Sequence, residues 1–336
     1  MANKPVYVGV DIGGTKVAAG VVNDKGEILS QVRVPMNSTG DAESGLAAVK
    51  AAIDKISTRL QGAPIASIGV SSPGPLDPRS GVVINPPNLP CWRNFPLKEN
   101  VEREYGLPVK VDNDANAAGL AEALWGAGAG YGSVFYATLG TGIGTGIVFD
   151  GEVYYGRTGA AAEGGHMVID YCGPYPCACG KTGCIEAMAS GPAIARRARA
   201  KLAADPSRGK VLMDIAHDEA SLITAETVSQ AWRAGDPLAT EVLEETADLL
   251  TIWLGNMIDI LEPDVIVVGG GVGELMSNFF GHISSKLPKW SINQRCGEIP
   301  LKLAHYMEHS GIAGGAALCL GSPVSSGSES PGGLKA

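Results

Sequence analysis

The chain carries no basic run, no apolar stretch of membrane-spanning length and no even set of cysteines. With a net charge of −9 and no Lys/Arg cluster, it offers no electrostatic footprint for nucleic acid, so an anionic ligand has to be held locally by backbone N–H groups. The longest apolar segments, Asp264 to Val272 and the region around Trp253, are far shorter than a bilayer requires, and no membrane association is expected. The opening Met-Ala-Asn-Lys-Pro lacks the basic and apolar regions of a secretory leader, and seven cysteines cannot all pair, so cytoplasm is expected rather than an oxidising compartment. Neither a Walker loop nor a Gly-x-Gly-x-x-Gly turn between strand and helix is found, which speaks against P-loop and dinucleotide folds.

What is present is size, apolar content and glycine. A chain of 336 residues exceeds the usual extent of one core, so two lobes with a cleft between them are expected. Hydrophobic residues at 45 % and charged residues at 18 % suffice for large cores. The 46 glycines exceed an ordinary share and gather in a few clusters.

One plan occurs twice. Val6 to Val10 reads as a buried strand, Asp11-Ile-Gly13-Gly14-Thr15-Lys16 as a turn, and Val17 to Val22 as a second strand. Val134 to Leu139, the turn Gly140-Thr141-Gly142-Ile-Gly144-Thr and the strand Gly146 to Phe149 repeat it. Hydroxyl-bearing, glycine-rich turns aim several N–H groups at one place and suit phosphate oxygens, although either turn alone also reads as a plain tight hairpin. Two of them facing each other would clamp a phosphate chain.

Around the repeats, Glu43 to Leu60 shows helical spacing (Leu46, Val49, Ile53, Ile56, Leu60), and Ile65 to Val70 reads as a strand. A Pro-rich loop covers Asn85 to Pro96, and Val109 to Val111 is a short strand leading through Asp112-Asn113-Asp114 into a helix that ends near Trp125. Gly191 to Leu202 and Val228 to Leu261 read as helices, the latter interrupted near Gly235-Asp-Pro237. Asp264 to Val268 is a strand entering Gly269-Gly270-Gly271-Val-Gly273, a loop without side chains that a flat ring could approach closely, or that serves helix packing.

Two constellations carry chemistry. Cys177, Cys179 and Cys184, with His166 eleven residues before the first of them, offer three thiolates and one imidazole, the donor set of a closed structural zinc site. Buried free cysteines would be the bland alternative. Cys172 stands close enough to compete as a ligand, and Glu163 and Glu186 flank the group. Asp114, at a strand-to-helix junction, is the candidate for proton transfer, because the helix N-terminus favours its ionised form while burial opposes it; an ordinary capping aspartate is the alternative.

Taken together, Asp11-Ile-Gly-Gly-Thr15, Asn113-Asp114, Leu139-Gly-Thr-Gly-Ile-Gly144, Glu163-x-Gly-His166, Cys177-x-Cys179-Gly-x-x-Gly-Cys184-x-Glu186 and Gly269-Gly-Gly271 resemble the ROK family of sugar kinases and repressors, over roughly residues 6 to 320. The resemblance implies an α/β, two-lobed actin-like ATPase (ribonuclease H-like) fold. It implies a small lobe of residues 1–116 plus a C-terminal helix at about 311–320, a large lobe of 117–310 and a flexible tail of 321–336.

It further implies an ATP-dependent hexokinase acting on a sugar 6-hydroxyl. Asp114 would be the base, and Asn88, Asn113, Glu163, His166 and Glu186 would hold ring hydroxyls. Asp11, Gly13, Gly14, Thr15, Lys16, Gly140, Thr141, Gly142, Gly269, Gly270 and Gly271 would hold the nucleotide, with Mg2+ carried mainly by phosphate oxygens and water. Structural Zn2+ would sit on His166, Cys177, Cys179 and Cys184. Glucose is the expected acceptor, with N-acetylmannosamine, mannose, fructose, allose or polyphosphate as alternative acceptors or donor, and a homodimer or homotetramer is expected. A DNA-binding repressor is not expected, because the first strand begins at Val6 with no room for a DNA-binding domain before it. Trp253 and Phe279 suit either a subunit interface or the core.

Overall fold

The computed structural model describes residues 4–60 and 62–320; the segment 321–336, read above as a flexible tail, lies outside the described residues. The described residues form two compact units, one running to Trp125 and including Gly151–Ala162 and the segment from His309 onward, the other Gly126–Asp150 and Glu163–Glu308.

In the first unit, β1 (Val6–Ile12), β2 (Lys16–Val22) and β3 (Ile28–Pro35) form an antiparallel meander, and β4 (Ile65–Ser72) joins β1 in parallel. After α1 (Ala42–Ser57), the short strands β5 (Leu76–Asp77), β6 (Val82–Val83) and β7 (Phe95–Pro96), and α2 (Leu97–Tyr105), strand β8 (Val109–Asn113) completes the order β3-β2-β1-β4-β8. Strands covered on both faces read as continuous apolar runs, and Val17 to Val22 is buried at every position. On one face packs α1, capped by Asp41 accepting from Ser44 N at 2.8 Å and burying the expected Leu46, Val49, Ile53 and Ile56. The helix stops at Ser57, so Leu60 packs from the turn beyond it.

The other face is covered by α3 (Asp114–Leu124) and the C-terminal helix Ser310–Leu318, which pack on each other. That helix meets the sheet at backbone distance: a Cβ on Gly69 would lie 1.7 Å from the Gly315 carbonyl oxygen, so glycine is the only residue that fits there. The same packing groups α3 with this unit. The sequence reading divided the chain at 116/117, inside α3, whereas all of α3 belongs to the first unit, and residues 151–162 return to it.

The second unit repeats the plan. Strands β9 (Ser133–Leu139) and β10 (Ile143–Phe149) form an antiparallel hairpin, and, beyond β11 (Glu152–Val153), β12 (Val265–Gly269) runs parallel to β9 as β4 does to β1, with β13 (Leu301–Leu303) outside it. The duplicated glycine-turn hairpin expected from the sequence is therefore borne out. Strand β10 begins three residues earlier than expected because Ile143 pairs with Leu139.

The helices of this unit include α4 (Ile185–Ala189), α5 (Gly191–Ala204), α6 (Lys210–Ile215), α7 (Ala225–Arg233), α8 (Pro237–Leu261), α9 (Gly271–Met276) and α10 (Phe280–Lys286). The expected break is real: α8 restarts at Pro237 behind Asp236, whose carboxylate accepts from Leu238 N and Ala239 N, both at 2.9 Å. The glycine run after β12 shortens to one linking residue, Gly270 at φ +80°. Trp253 lies in the core, edge-on to Phe135 with centroids 5.7 Å apart, and Phe279 packs on Trp232. Among the described residues, no helix is long and apolar enough to cross a membrane.

Candidate active site and metal centre

In the first unit the turn from Asp11 to Lys16 closes through Gly13 N donating to Lys16 O at 2.9 Å, and Met36 N donates to Thr15 O at 3.0 Å. Thr15 and Lys16 are exposed. A Cβ on Gly14 would lie 2.9 Å from the Asn88 carbonyl oxygen, so the Pro-rich loop bearing Asn88 rests against the turn. That loop is anchored by Trp92, which is 1 % exposed, stacks on Phe95 and donates from Nε1 to Ala42 O at 3.1 Å. Burial raises the Asp11 carboxyl above its ordinary range, against the opposing pull of Lys16 and Arg33.

Asp114 occupies the first turn of α3 with its side chain exposed, and its Oδ1 accepts from Ala115 N at 2.8 Å. The capping residue is Asn113, whose Oδ1 accepts from Ala115 N at 2.9 Å and Asn116 N at 3.4 Å. Because capping falls to Asn113, the carboxylate at 114 does not serve as the cap.

Behind this pair stands a residue that sequence reasoning passed over. Asp112 is 1 % exposed and accepts from Asn113 N at 2.6 Å, Tyr155 Oη at 2.7 Å and Asn116 Nδ2 at 3.2 Å. Burial pushes its carboxyl up to about 6, the three donors opposing that rise. Burial also raises the Tyr155 hydroxyl, with the Asp112 charge adding to it. Asp112 was visible beside Asn113-Asp114; Tyr155, 43 positions away, gave no local signal.

In the second unit the turn after β9 closes through Gly140 N donating to Gly142 O at 2.9 Å. The N-terminus of α5 is tied to it by Gly191 N donating to Gly140 O at 2.8 Å, and Ile143 N donates to Glu186 Oε2 at 2.9 Å. Beside the turn lies a cavity of about 810 Å3 lined by Gly140, Thr141, Gly191, Arg199, Gln230 and Gly271, among others. Of the glycines assigned to the nucleotide in this unit, Gly140 and Gly271 line that cavity. Gly269 and Gly270 do not: Gly269 ends β12 with its Cα against Tyr136 and Ala304, and Gly270 packs on the Leu139 carbonyl. The helix start Gly191-Pro192 and the side chains of Arg199, Glu226 and Gln230 join the cavity from distant sequence and carried no motif that marked them.

His166, Cys177, Cys179 and Cys184 converge, each presenting one ligand atom within 4.8 Å of the others. The Cys179 and Cys184 sulfurs are 3.7 Å apart, and His166 Nδ1 lies 3.5 Å from Cys177 Sγ. A tetrahedron with metal–sulfur bonds of about 2.3 Å has sulfur–sulfur edges of about 3.8 Å, so the donor set fits zinc. Burial lifts the Cys177 thiol up to about 12, a cost a cation removes by binding the thiolate.

Cys172 does not belong to this group; it is exposed, with its amide donating to Asp170 Oδ1 at 3.0 Å. The Pro174-Tyr175-Pro176 stretch docks through Tyr175, whose ring lies 4.4 Å beneath the Arg196 guanidinium. Glu163, exposed, precedes the short 3-10 turn Gly164–His166, whose Gly164 N donates to Thr145 Oγ1 at 2.9 Å and whose Gly164 O accepts from Trp253 Nε1 at 3.0 Å.

A duplicated hairpin with glycine turns, a carboxylate at a helix start and a Cys3His cluster define a class, and comparison places the chain within it. The model of the ROK family matches residues 7–322, and the chain belongs to that family. It is 34 % identical to a glucokinase of Halalkalibacterium halodurans over 92 % of this chain and 93 % of that protein. It is 37 % identical to a glucokinase of Streptomyces coelicolor over 85 % and 88 % of the two chains. The crystal structure of a ROK family glucokinase from Streptomyces griseus in complex with glucose and AMPPNP superposes with a TM-score of 0.78 at 36 % identity, covering 93 % of this chain and 98 % of that one.

Proposed function

We propose that the protein transfers the γ-phosphoryl group of ATP to the 6-hydroxyl of glucose. The observation that carries this reading is the cavity beside Gly140 and Thr141, sized for a nucleoside and opening onto a turn whose N–H groups suit its phosphates, in a chain similar along nearly its whole length to glucokinases.

Asp114 is the base. Its exposed carboxylate takes the proton as the sugar oxygen attacks the γ-phosphorus; the bond to the bridging oxygen breaks and ADP leaves. Asn88, Asn113, Glu163, His166 and Glu186 hold the ring hydroxyls. With Nδ1 of His166 turned toward Cys177, its Nε2 is the edge left for a hydroxyl. The turns Asp11–Lys16 and Gly140–Gly142 take the phosphates, and the loop Gly269–Gly271 meets the adenosine through Gly271. Mg2+ would accompany the nucleotide, held mainly by its phosphate oxygens and water with Asp11 nearby, and would supply charge neutralisation for the transferring phosphoryl group. The Cys3His set His166, Cys177, Cys179 and Cys184 would hold Zn2+, which would serve as a scaffold for the loop of Glu163 and Glu186. The enzyme works in the cytoplasm as a homodimer or homotetramer.

The test is coupled ADP release over a panel of hexoses and N-acetylhexosamines, with ATP and polyphosphate as donors. Glucose with ATP should give the highest kcat/KM; release with no sugar in the panel would defeat the assignment.

A further inference from the structure

The two oxygens of the Glu186 carboxylate face different neighbours. Oε1 lies toward the metal cluster, 3.6 Å from Cys177 Sγ and 3.9 Å from His166 Nδ1. Oε2 accepts the backbone N–H of Ile143, 43 positions earlier, where the second glycine turn re-enters a strand. A Cβ on Gly142 would sit 2.7 Å from that oxygen, so the carboxylate approaches closely only because residue 142 has no side chain.

The rest of the turn is held by the same stretch of chain. Gly191 N, five residues beyond Glu186, donates to Gly140 O, and the Gly164–His166 turn that carries the imidazole donates from Gly164 N to Thr145 Oγ1. Ile185 N donates to Met167 O at 3.0 Å, joining the histidine-bearing and cysteine-bearing segments to each other.

We propose that Glu186 is a positioning residue for the nucleotide, bracing the turn at 140–144 through Ile143 N–H and so linking the metal-bearing loop to phosphate binding. This rests on the reading that this turn holds nucleotide phosphates, and it gives Glu186 work that does not require a sugar. An unsupported Ile143 N–H would free the turn to rotate its remaining amides away from the phosphate oxygens.

Length and charge at position 186 separate this role from others. Glu186→Gln keeps a carbonyl oxygen at the same reach, whereas Glu186→Asp keeps the charge but falls one methylene short of Ile143 N. Calorimetric titration of ADP without sugar, with metal content measured in parallel, should give Gln affinity within about twofold of the unsubstituted protein and Asp affinity weaker by about tenfold or more, the effect of losing a charge-assisted hydrogen bond. An electrostatic role toward the metal cluster predicts the reverse order, and that order, or an Asp variant that binds as tightly as the parent, overturns the proposal. Gly142→Ala gives a second measurement: its methyl displaces Oε2, so its cost in ADP affinity should shrink in the Glu186→Asp background, and strict additivity of the two also overturns it. Failure of the unsubstituted protein to bind ADP would instead remove the assignment of the turn itself.

Discussion

The two glycine turns share one backbone plan and are supported in different ways. The turn at Asp11–Lys16 is closed by its own main chain, with the Met36 amide and the Asn88 loop against it. The turn at Gly140–Gly144 is tied by a carboxylate, a helix N-terminus and a 3-10 turn, all from the chain that carries the Cys3His ligands. A duplicated hairpin thus fixes where amides point, and the surroundings of each copy decide what those amides are coupled to.

The largest expected break falls on the first unit. Asp114→Ala should lower kcat by about 10^2 to 10^4, the usual worth of a general base, while sugar affinity stays within about twofold; turnover close to that of the parent would refute the role.

Next is the buried carboxyl behind it. The folded-state value of about 6 for Asp112 lies above the unfolded 3.8, so its stability contribution is complete below about 3.8 and is lost as pH rises through 6. Relative to the parent, Asp112→Asn should gain on the order of 3 kcal/mol between pH 4 and pH 7 in urea unfolding, following 1.36 kcal/mol per pKa unit. A difference that does not change with pH would mean that burial does not raise the Asp112 carboxyl above its unfolded value.

The smallest of these effects sharpens the contrast between the turns. Cys179→Ser removes an exposed ligand, and amide exchange over 140–145 and 163–186 should quicken by about tenfold, while exchange over 11–16 stays unchanged, because local opening follows local contacts. Equal acceleration at both turns would show that the metal loop does not favour the second one.

Much of the fold was legible before any coordinates. Leu46, Val49, Ile53 and Ile56 mark α1 by period, and the hairpin pairs announce themselves through glycine between β-branched runs. The Cys3His cluster was legible for a related reason: three of its ligands lie within eight residues, so the spacing itself constrains the geometry. The lobe boundary was less accessible, because α3 is grouped by its packing on the C-terminal helix, a contact that spans more than half the chain. The cavity lining was less accessible still, since Arg199, Glu226 and Gln230 have no common motif and meet only when α5 and α7 pack.

Residue order alone determined the local chemistry: which turns demand glycine, which helix starts carry an amide side chain, and which thiols can reach a shared metal. Those properties depend on a few neighbouring dihedral angles and on spacing. Only tertiary structure decided that the Glu186 carboxylate reaches Ile143 N, that Tyr155 reaches Asp112, and that the Asp112 carboxyl is raised, because each depends on how much water is excluded and on partners 43 positions apart along the chain.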